Sequence, residues 1–234
     1  MTALLQLEGV HAYYGSAHIL HGLSLHIDAG ESVALVGRNG VGKTTVVNTI
    51  LGLAQMKAGH VNFGAAQVTK PRIYTAAQHG VVVVPQGRRI VANLTVEENL
   101  MLGAATGRKG PWNVPEIYKL FPILQERAHT PGTALSGGQQ QMLAVGRSLM
   151  ANPSLILLDE PTEGLAPVIV DQLAEVFNKV SGQGTALLLI EQNMSLVVRM
   201  SQRYLAMAKG SVVAEGKVEN SKASLQDLEN HVMV

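Results

Sequence analysis

A glycine-rich segment with one lysine carries the clearest chemical signal in this sequence. Residues 37–45, GRNGVGKTT, follow the apolar run Ser32–Val36 and precede residues whose apolar groups recur at helical spacing. Glycines let backbone N–H groups converge on an anion, and a helix N-terminus favours the same charge. The pattern G-x-x-x-x-G-K-[ST] therefore predicts a loop that binds nucleotide phosphates, the alternative being a tight turn without a ligand. The predicted binding residues are Gly37, Arg38, Asn39, Gly40, Val41, Gly42, Lys43, Thr44 and Thr45.

Two adjacent carboxylates follow the apolar run 155–158. In an open α/β sheet, ligands bind at the carboxyl ends of the strands, where Asp159 and Glu160 would lie. Asp159 would hold Mg²⁺ through water and Glu160 would polarise the attacking water, since phosphoryl transfer needs positioning and charge neutralisation. The alternative is a solvated pair that caps the next helix.

The pentapeptide LSGGQ, residues 135–139, precedes another helical pattern. A helix that begins at Ser136 would direct its N-terminal amides at an anion. Considered alone, Ser136 could equally be an N-cap followed by permissive glycines. The order of the three motifs is more specific than any one of them.

These motifs together resemble those of the ATP-binding subunits of ABC transporters, and the matching positions extend from Tyr14 to about Gln192. The resemblance implies ATP and Mg²⁺ as ligands and ATP hydrolysis as the activity. It also implies a head-to-tail dimer in which the signature of one subunit closes on the ATP of the other. The implied signature residues are Ser136, Gly137, Gly138 and Gln139.

Further positions match this family. Tyr14 corresponds to the aromatic residue that stacks on adenine, whereas Tyr13 would point to the other side of an extended strand. Gln86 corresponds to the glutamine that senses the γ-phosphate and Mg²⁺ where the core meets a helical insertion. The implied metal ligands are Thr44, Gln86 and Asp159, and the implied catalytic residues are Lys43, Glu160 and Gln192.

The sequence departs from the wider family in two places. Gln192 stands where a histidine is usual, and an amide can hydrogen-bond a phosphate but cannot take a proton. Residues 163–166 are EGLA where SALD is common, so an aspartate-dependent link between two ATP sites is not expected. Together with these departures, four segments of the sequence resemble one subgroup of the family, the subunits that import branched-chain amino acids and related amides, including urea. The segments are VPQGRR, LTVEENL, DEPTEGLAP and IEQN.

That subgroup implies separate permease subunits, an indirectly associated substrate-binding protein, and a second copy or a related chain as dimer partner. The alternative is an ATPase of an export or assembly system. Its catalytic motifs would be the same, and only the subgroup motifs and Gln192 argue against it. An ABC ATPase outside transport would carry heptad arms, tandem cassettes or zinc-binding cysteines, and the sequence has no cysteine. A binding module without hydrolysis is disfavoured because Lys43, Asp159 and Glu160 are all present.

Composition limits the partners. The 18 Lys and Arg residues nearly balance the 17 Asp and Glu residues, so no basic field indicates nucleic acid. The sequence begins without signal-peptide features, and its apolar runs are far shorter than the roughly 20 residues that cross a bilayer. Together with the permease partners that the resemblance implies, this indicates a peripheral protein held at the cytoplasmic face of the cell membrane through permease subunits. The mean hydropathy of +0.18 fits a sheet covered on both faces or an exposed docking surface.

The elements that position these residues follow from the apolar pattern. Four short apolar runs alternate with helical sequence, which predicts an α/β P-loop NTPase core with a mostly parallel sheet. Residues 1–30 and 61–63 predict antiparallel strands beside it, and a hairpin is expected to turn at Lys209 and Gly210. A last short helix is expected at 225–232. The four runs are Ser32–Val36, Val81–Val84, residues 155–158 and Ala186–Ile190.

We expect one ABC ATPase domain over residues 1–234. Its core comprises 1–85 and 152–234, and residues 86–151 form a helical insertion with helices near 95–102, 115–120 and 139–150. Trp112, in a turn-rich segment, is either a surface contact or a partly buried anchor. His18 and His21 have helical spacing but lack an acidic or cysteine companion, which favours solvent-facing side chains over metal ligands.

Overall fold

The computed structural model describes residues 3–218, so the helix predicted at 225–232 lies outside the described residues. The N-terminal half contributes an antiparallel sheet of β1 (Leu5–Tyr14), β2 (Ala17–Ile27), β4 (Gln55–Phe63) and β5 (Ala66–Val68). Their order in the sheet is β2-β1-β4-β5. Buried and more exposed residues alternate along β1, as expected for a sheet with one face on the core. The antiparallel strands predicted from the sequence are confirmed.

The second sheet comprises β3 (Ser32–Val36), β6 (Val81–Val84), β7 (Leu155–Asp159), β8 (Ala186–Ile190), β9 (Arg203–Ala208) and β10 (Ser211–Lys217). Its order is β10-β9-β3-β8-β7-β6. Neighbouring strands are parallel except for the β9–β10 hairpin, which turns at Lys209 and Gly210 as predicted. The mostly parallel core sheet is therefore confirmed.

Successive side chains of the core strands enter two separate apolar clusters. In β7, Leu155 and Leu157 pack toward the antiparallel sheet, whereas Ile156 and Leu158 pack toward the helices on the other face. Because both faces of β3, β7 and β8 are covered, every position of these three strands is buried, which explains their unbroken apolar runs. This covering contributes to the positive mean hydropathy of the sequence.

Helices pack around these sheets, and three of those between β6 and β7 lie close to the helices predicted near 95–102, 115–120 and 139–150. α3 starts one residue after the cap Thr95, whose side chain and that of Glu98 form a capping box. An isolated bridge pairs Thr95 with Pro131, and residues 86–151 contain no named strand. The helices are α1 (Lys43–Ile50), α2 (Thr75–Gln78), α3 (Val96–Gly103), α4 (Val114–Leu120), α5 (Pro122–Glu126), α6 (Gly137–Leu149), α7 (Pro167–Gly182) and α8 (Met194–Met200).

Trp112 anchors its loop. Its side chain is 7% exposed, and its backbone N–H donates to Asn152 Oδ1 at 2.8 Å. Asn152 Nδ2 donates in return to the carbonyls of Trp112 and Arg108. The buried-anchor interpretation is therefore favoured over a surface contact.

The helical spacing of His18 and His21 is misleading, because both lie on strand β2. His18 stacks on Tyr13 with ring centroids 4.2 Å apart, and its Nε2 lies 3.1 Å from His11 Nδ1. Within residues 3–218, no group of three or more His, Cys, Asp or Glu side chains could hold a metal ion. The same residues contain no helix long and apolar enough to cross a membrane.

An ion pair joins the two sheets near the start of β3. Arg203 donates to both carboxylate oxygens of Glu31, at 2.7 and 3.1 Å, and to the carbonyl of His26 on β2 at 2.8 Å. Burial raises the pKa of Glu31, but the hydrogen bonds from Arg203 and the Asp28 N–H outweigh it, and the net pKa is lowered. The ionised carboxylate is therefore favoured by folding.

We expect Glu31→Gln to lower the free energy of unfolding by about 1 to 3 kcal/mol at pH 7, because a largely shielded charged hydrogen bond is lost. The stabilisation exists above the unfolded pKa and is lost as pH falls through the lowered folded pKa, so the two proteins should converge at acidic pH. Urea unfolding at several pH values measures this. Glu215→Gln is the control, since the Glu215 side chain is 65% exposed and its contact with Arg203 is longer and weaker, at 3.5 Å. An equal loss in both variants would contradict the prediction.

Candidate active site

The loop between β3 and α1 depends on glycine. Gly37, Gly40 and Gly42 have φ angles of 148°, 80° and 109°, which side chains rarely tolerate. A Cβ at Gly37 would also lie 2.6 Å from the carbonyl oxygen of Met207. The β9–β10 turn supports the loop, because Gly210 N–H donates to the carbonyl of Val41 at 3.0 Å. The sequence motif therefore encodes a fixed backbone shape.

Lys43 lies inside this loop. Its Nζ donates to the carbonyls of Gly37 and Arg38 at 2.8 and 2.9 Å, and the residue is only 5% exposed. Burial lowers the pKa of Lys43, while the carboxylates of Glu160, Asp159 and Glu191 oppose that shift. A partly desolvated cation surrounded by backbone carbonyls is suited to bind a polyanion.

The first turn of α1 offers backbone amides to an anion. Gly42 is the N-cap, and no side chain in the described part of the chain caps this helix. In α3 and α6, the side chains of Thr95 and Ser136 accept from a backbone amide of the first turn. The equivalent amides of α1 have no side-chain acceptor and can bind an anion. Thr45 is buried in this turn, while the loop residues Arg38, Asn39 and Gly40 are exposed.

Asp159 and Thr44 form a group of oxygen ligands beside the loop. Thr44 Oγ1 donates to Asp159 Oδ1 at 3.3 Å, and Asp159 is 5% exposed. Burial raises the pKa of Asp159 and Glu160 raises it further, against the lowering by the Thr44 hydrogen bond and Lys43. A cation bound here would therefore offset the cost of an ionised, buried carboxylate.

Glu160 is held by two glutamine side chains. Gln192 Nε2 donates to one of its carboxylate oxygens at 2.7 Å, and Gln86 Nε2 approaches the other at 3.3 Å. Gln86 also donates to Glu163 at 2.7 Å. Glu160 itself has a φ of 48°, and its N–H donates to the carbonyl of Ile190 at 3.0 Å. A strained backbone maintained by its surroundings is typical of functional positions.

Tyr14 and Tyr13 have different surroundings, as expected from strand alternation. Tyr14 is 43% exposed, and its hydroxyl accepts from Asn48 Nδ2 on α1 at 2.7 Å. Tyr13 is covered by His18 on one side, and Lys57 Nζ lies 4.2 Å from its ring centroid. The ring of Tyr14 is thus fixed beside the phosphate-loop helix and open to a stacking partner.

The LSGGQ segment lies apart from this cluster. Ser136 and Gln139 form a capping box at the start of α6, with Ser136 N–H donating to Gln139 Oε1 at 2.9 Å. Their side chains hydrogen-bond each other's backbone, and within residues 3–218 they make no hydrogen bond to the phosphate-loop residues. Gly137 and Gly138 give the helix start a surface without side chains, and a Cβ at Gly137 would approach the guanidinium of Arg88 to 3.1 Å.

The structure brings together Lys43, Thr44, Gln86, Asp159, Glu160 and Gln192, leaves Tyr14 at the margin, and keeps the signature separate. Sequence reasoning missed two contacts of this cluster. One is Glu163, which holds Gln86. The other is Glu191, a buried carboxylate that accepts from Thr162 and from the backbone after β8. For Glu191, the available signal in the sequence was a charged residue directly after the apolar strand β8.

Comparisons with known proteins agree with this arrangement. The family model described as ABC transporter matches residues 20–163, more than half of the chain. The chain is 37% identical over 212 residues to the high-affinity branched-chain amino acid transport ATP-binding protein BraG of Pseudomonas aeruginosa, covering 90% of this chain and 91% of BraG. It is 29% identical to the lipopolysaccharide export system ATP-binding protein LptB of Haemophilus influenzae, covering 93% and 92%.

A solved structure supports the fold at the level of the whole chain. A nucleotide-free ATP-binding cassette from an ABC transporter superposes with a TM-score of 0.84 and 26% identity, covering 98% of this chain and 96% of that one. Fold, motif order and sequence similarity therefore agree. The chain belongs to the ABC transporter family and is one of its ATP-hydrolysing, ATP-binding subunits.

Proposed function

We propose that this ATPase subunit powers the uptake of branched-chain amino acids or related amides through separate permease subunits. The observation that carries the proposal is the 37% identity to BraG over nine tenths of both chains. Gln192, in the sequence IEQN, supports the same subgroup. Export relatives are less similar to this chain than BraG is, as the 29% identity to LptB illustrates.

The residues of the cluster divide the work of hydrolysis. Lys43 and the uncapped amides of α1 bind the β- and γ-phosphates, and the ring of Tyr14 stacks on adenine. Glu160 orients and polarises the attacking water, and Gln192 holds Glu160 and the γ-phosphate by neutral hydrogen bonds. The barrier is lowered mainly by positioning and charge complementarity.

Thr44, Gln86 and Asp159 fit a Mg²⁺ ion. They offer hydroxyl, amide and carboxylate oxygens, which are hard ligands. Mg²⁺ is commonly bound by one or two carboxylates together with substrate phosphates, so the lack of a larger acidic cluster within residues 3–218 is compatible with it. When bound, Mg²⁺ neutralises phosphate charge in the transition state.

The signature of one subunit would complete the ATP site of another. Ser136 is exposed at the start of a 13-residue helix, and the signature residues make no hydrogen bond to the phosphate loop of their own chain. A head-to-tail pair of ATPase subunits, either two copies or this chain with a relative, supplies the missing contact. ATP binding at two composite sites then closes the dimer.

Permease contact is proposed beside Gln86, at the cytoplasmic face of the cell membrane, with a substrate-binding protein acting from the other side. A cavity of about 460 Å³ opens there, lined by Leu53, Ile73, Gln86 and Arg89 among others. Leu53 and Ile73 are 47% and 73% exposed, so this side of the cavity offers apolar surface to a partner. Movement of Gln86 would couple this surface to Glu160.

Purification of the tagged chain from gently solubilised membranes should recover membrane-spanning permease subunits. In liposomes, that complex should take up labelled leucine or urea only with ATP. Ile73→Asp should abolish co-purification, because it places a charge on the proposed contact. Val213→Asp, at a residue 58% exposed on β10, is the matched control and should leave co-purification intact. ATP-driven movement outward would overturn the import proposal in favour of export.

Glu160→Gln should retain ATP binding but lower turnover by about 10² to 10⁴-fold, because the amide keeps the shape of the side chain and loses the carboxylate's pull on water. Steady-state phosphate release and size-exclusion chromatography with ATP and no Mg²⁺ measure the two effects, and a stable dimer is expected. Glu116→Gln, an exposed carboxylate paired with Lys119, is the control. Wild-type turnover in Glu160→Gln would assign the role to another residue.

Tyr14→Ala should weaken ATP binding by roughly 1 to 3 kcal/mol, the range for loss of aromatic stacking on a base, and leave inorganic triphosphate binding nearly unchanged. Competition with a fluorescent ATP analogue measures both affinities. Tyr13→Ala is the matched control, because its ring is covered by His18 and should affect stability rather than ATP affinity. Equal losses for ATP and triphosphate would exclude the stacking role.

A further inference from the structure

Glu191 is a buried acid in the segment IEQN, and none of the predicted roles was assigned to it. It directly follows β8, the strand between β3 and β7, and is only 5% exposed. Buried carboxylates are rare unless their oxygens are bonded, because desolvation of the charge is costly. Its neighbours therefore explain why the chain places a carboxylate here.

Three donors converge on this carboxylate. Thr162 Oγ1, in the loop after β7, donates to Glu191 Oε1 at 2.5 Å. The N–H groups of Gln192 and Asn193 donate to Oε2 at 2.9 and 3.1 Å. Glu191 thus connects the loop after β7 to the loop after β8. Its side chain also accepts from the next two backbone N–H groups and so holds residues 191–193 in a turn.

The bonded carboxylate is poorly placed to act on water itself. It is buried and engaged on both oxygens, whereas Glu160 is more accessible and lies beside Gln192. The backbone of Gln192 is part of the turn held by Glu191, and its side-chain Nε2 donates to Glu160 at 2.7 Å. The contacts therefore run in series from Thr162 through Glu191 and the backbone of Gln192 to the Glu160 carboxylate.

We propose that Glu191 is a positioning residue for ATP hydrolysis, which fixes the backbone at Gln192 so that its amide stays on the carboxylate of Glu160. The inference rests on the role proposed above for Gln192. Without the carboxylate, the two N–H groups lose their acceptor, and among residues 3–218 the exposed Gln192 side chain is then tied only by its bond to Glu160. Small displacements of such groups have large effects on rate.

A double-mutant cycle on the full-length chain tests the series arrangement. Glu191→Ala and Gln192→Ala should each lower kcat, by about 10 to 100-fold, with little change in KM for ATP. The double variant should be no slower than Gln192→Ala, since Glu191 acts through that residue. Multiplicative losses would overturn the inference, because they would show that Glu191 acts by a separate route.

A conservative variant separates geometry from general stability. Glu191→Gln keeps an oxygen for the N–H groups and offers its amide N–H to Thr162, so kcat should remain within about fivefold of the wild type. Should Glu191→Ala fail to fold, Thr162→Val replaces it in the cycle, with a smaller loss of kcat that again disappears in the Gln192→Ala background. Additivity of Thr162→Val with Gln192→Ala would equally overturn the inference.

Hydrogen exchange in the nucleotide-free protein gives a readout independent of activity. The amides of Gln192 and Asn193 should exchange faster in Glu191→Ala than in the wild type, and Glu191→Gln should restore protection. Glu31→Gln is the control, because it perturbs another shielded carboxylate, bonded to Arg203, and should leave both amides and kcat unchanged. Unaltered protection in Glu191→Ala would overturn the inference.

The outcomes also distinguish this inference from the function on which it rests. A slow Gln192→Ala with a wild-type Glu191→Ala would refute only the positioning role of Glu191. A wild-type rate in Gln192→Ala would refute the catalytic role of Gln192, and the positioning role would fail with it. If both single variants are slow and the double variant is no slower than Gln192→Ala, the catalytic role of Gln192 and the positioning role of Glu191 are both supported.

Discussion

The parallel register of β8 between β3 and β7 is the constraint on which the site depends. Ile190 is aligned with Leu35 on one side and with Asp159 on the other, so the three strands end at one level. The phosphate loop, the two carboxylates and the glutamine that follows β8 therefore emerge at the same edge of the sheet. Both faces of these strands are buried, and a slip by one residue would reverse every side chain, so the two apolar clusters protect the register. Core packing thus sets the distances between the polar groups at this edge of the sheet.

Much of this arrangement was predictable from the sequence, because it depends on local patterns. Apolar runs followed by glycine, proline or acid located β3, β6, β7 and β8, and the glycine spacing located a loop whose φ angles require glycine. The strand order was not predictable, since pairing across more than one hundred residues leaves no local periodicity. The same limit hid the bond from Thr162 to Glu191, and it made His18 and His21 look like a helical pair when they lie on a strand.

The segment after Gln86 gives the site a physical link to the helical insertion. Gly87, Arg88 and Arg89 have φ angles of 77°, 61° and 46°, so two non-glycine residues occupy a region that costs of order 1 to 3 kcal/mol each. Arg147 on α6 holds this turn by donating to the carbonyl of Arg88 at 3.1 Å. The guanidinium of Arg88 lies against Gly137, at the start of the same helix. The strained turn therefore follows directly on Gln86, which contacts Glu160, and its own residues contact α6, an arrangement suited to a coupled movement of both.

The choice of glutamine after β8 changes how the site handles charge. Among Gln86, Glu160 and Gln192, only the carboxylate can accept a proton, because amides remain neutral throughout the physiological pH range. In the proposed mechanism, a proton released by the attacking water goes to Glu160 or to the phosphate itself, and the two amides hold the carboxylate in place. Such a site depends more on geometry than a site with a titrating imidazole does. That dependence gives a physical reason for burying a carboxylate next to Gln192, since a neutral amide is useful here only if its backbone cannot move.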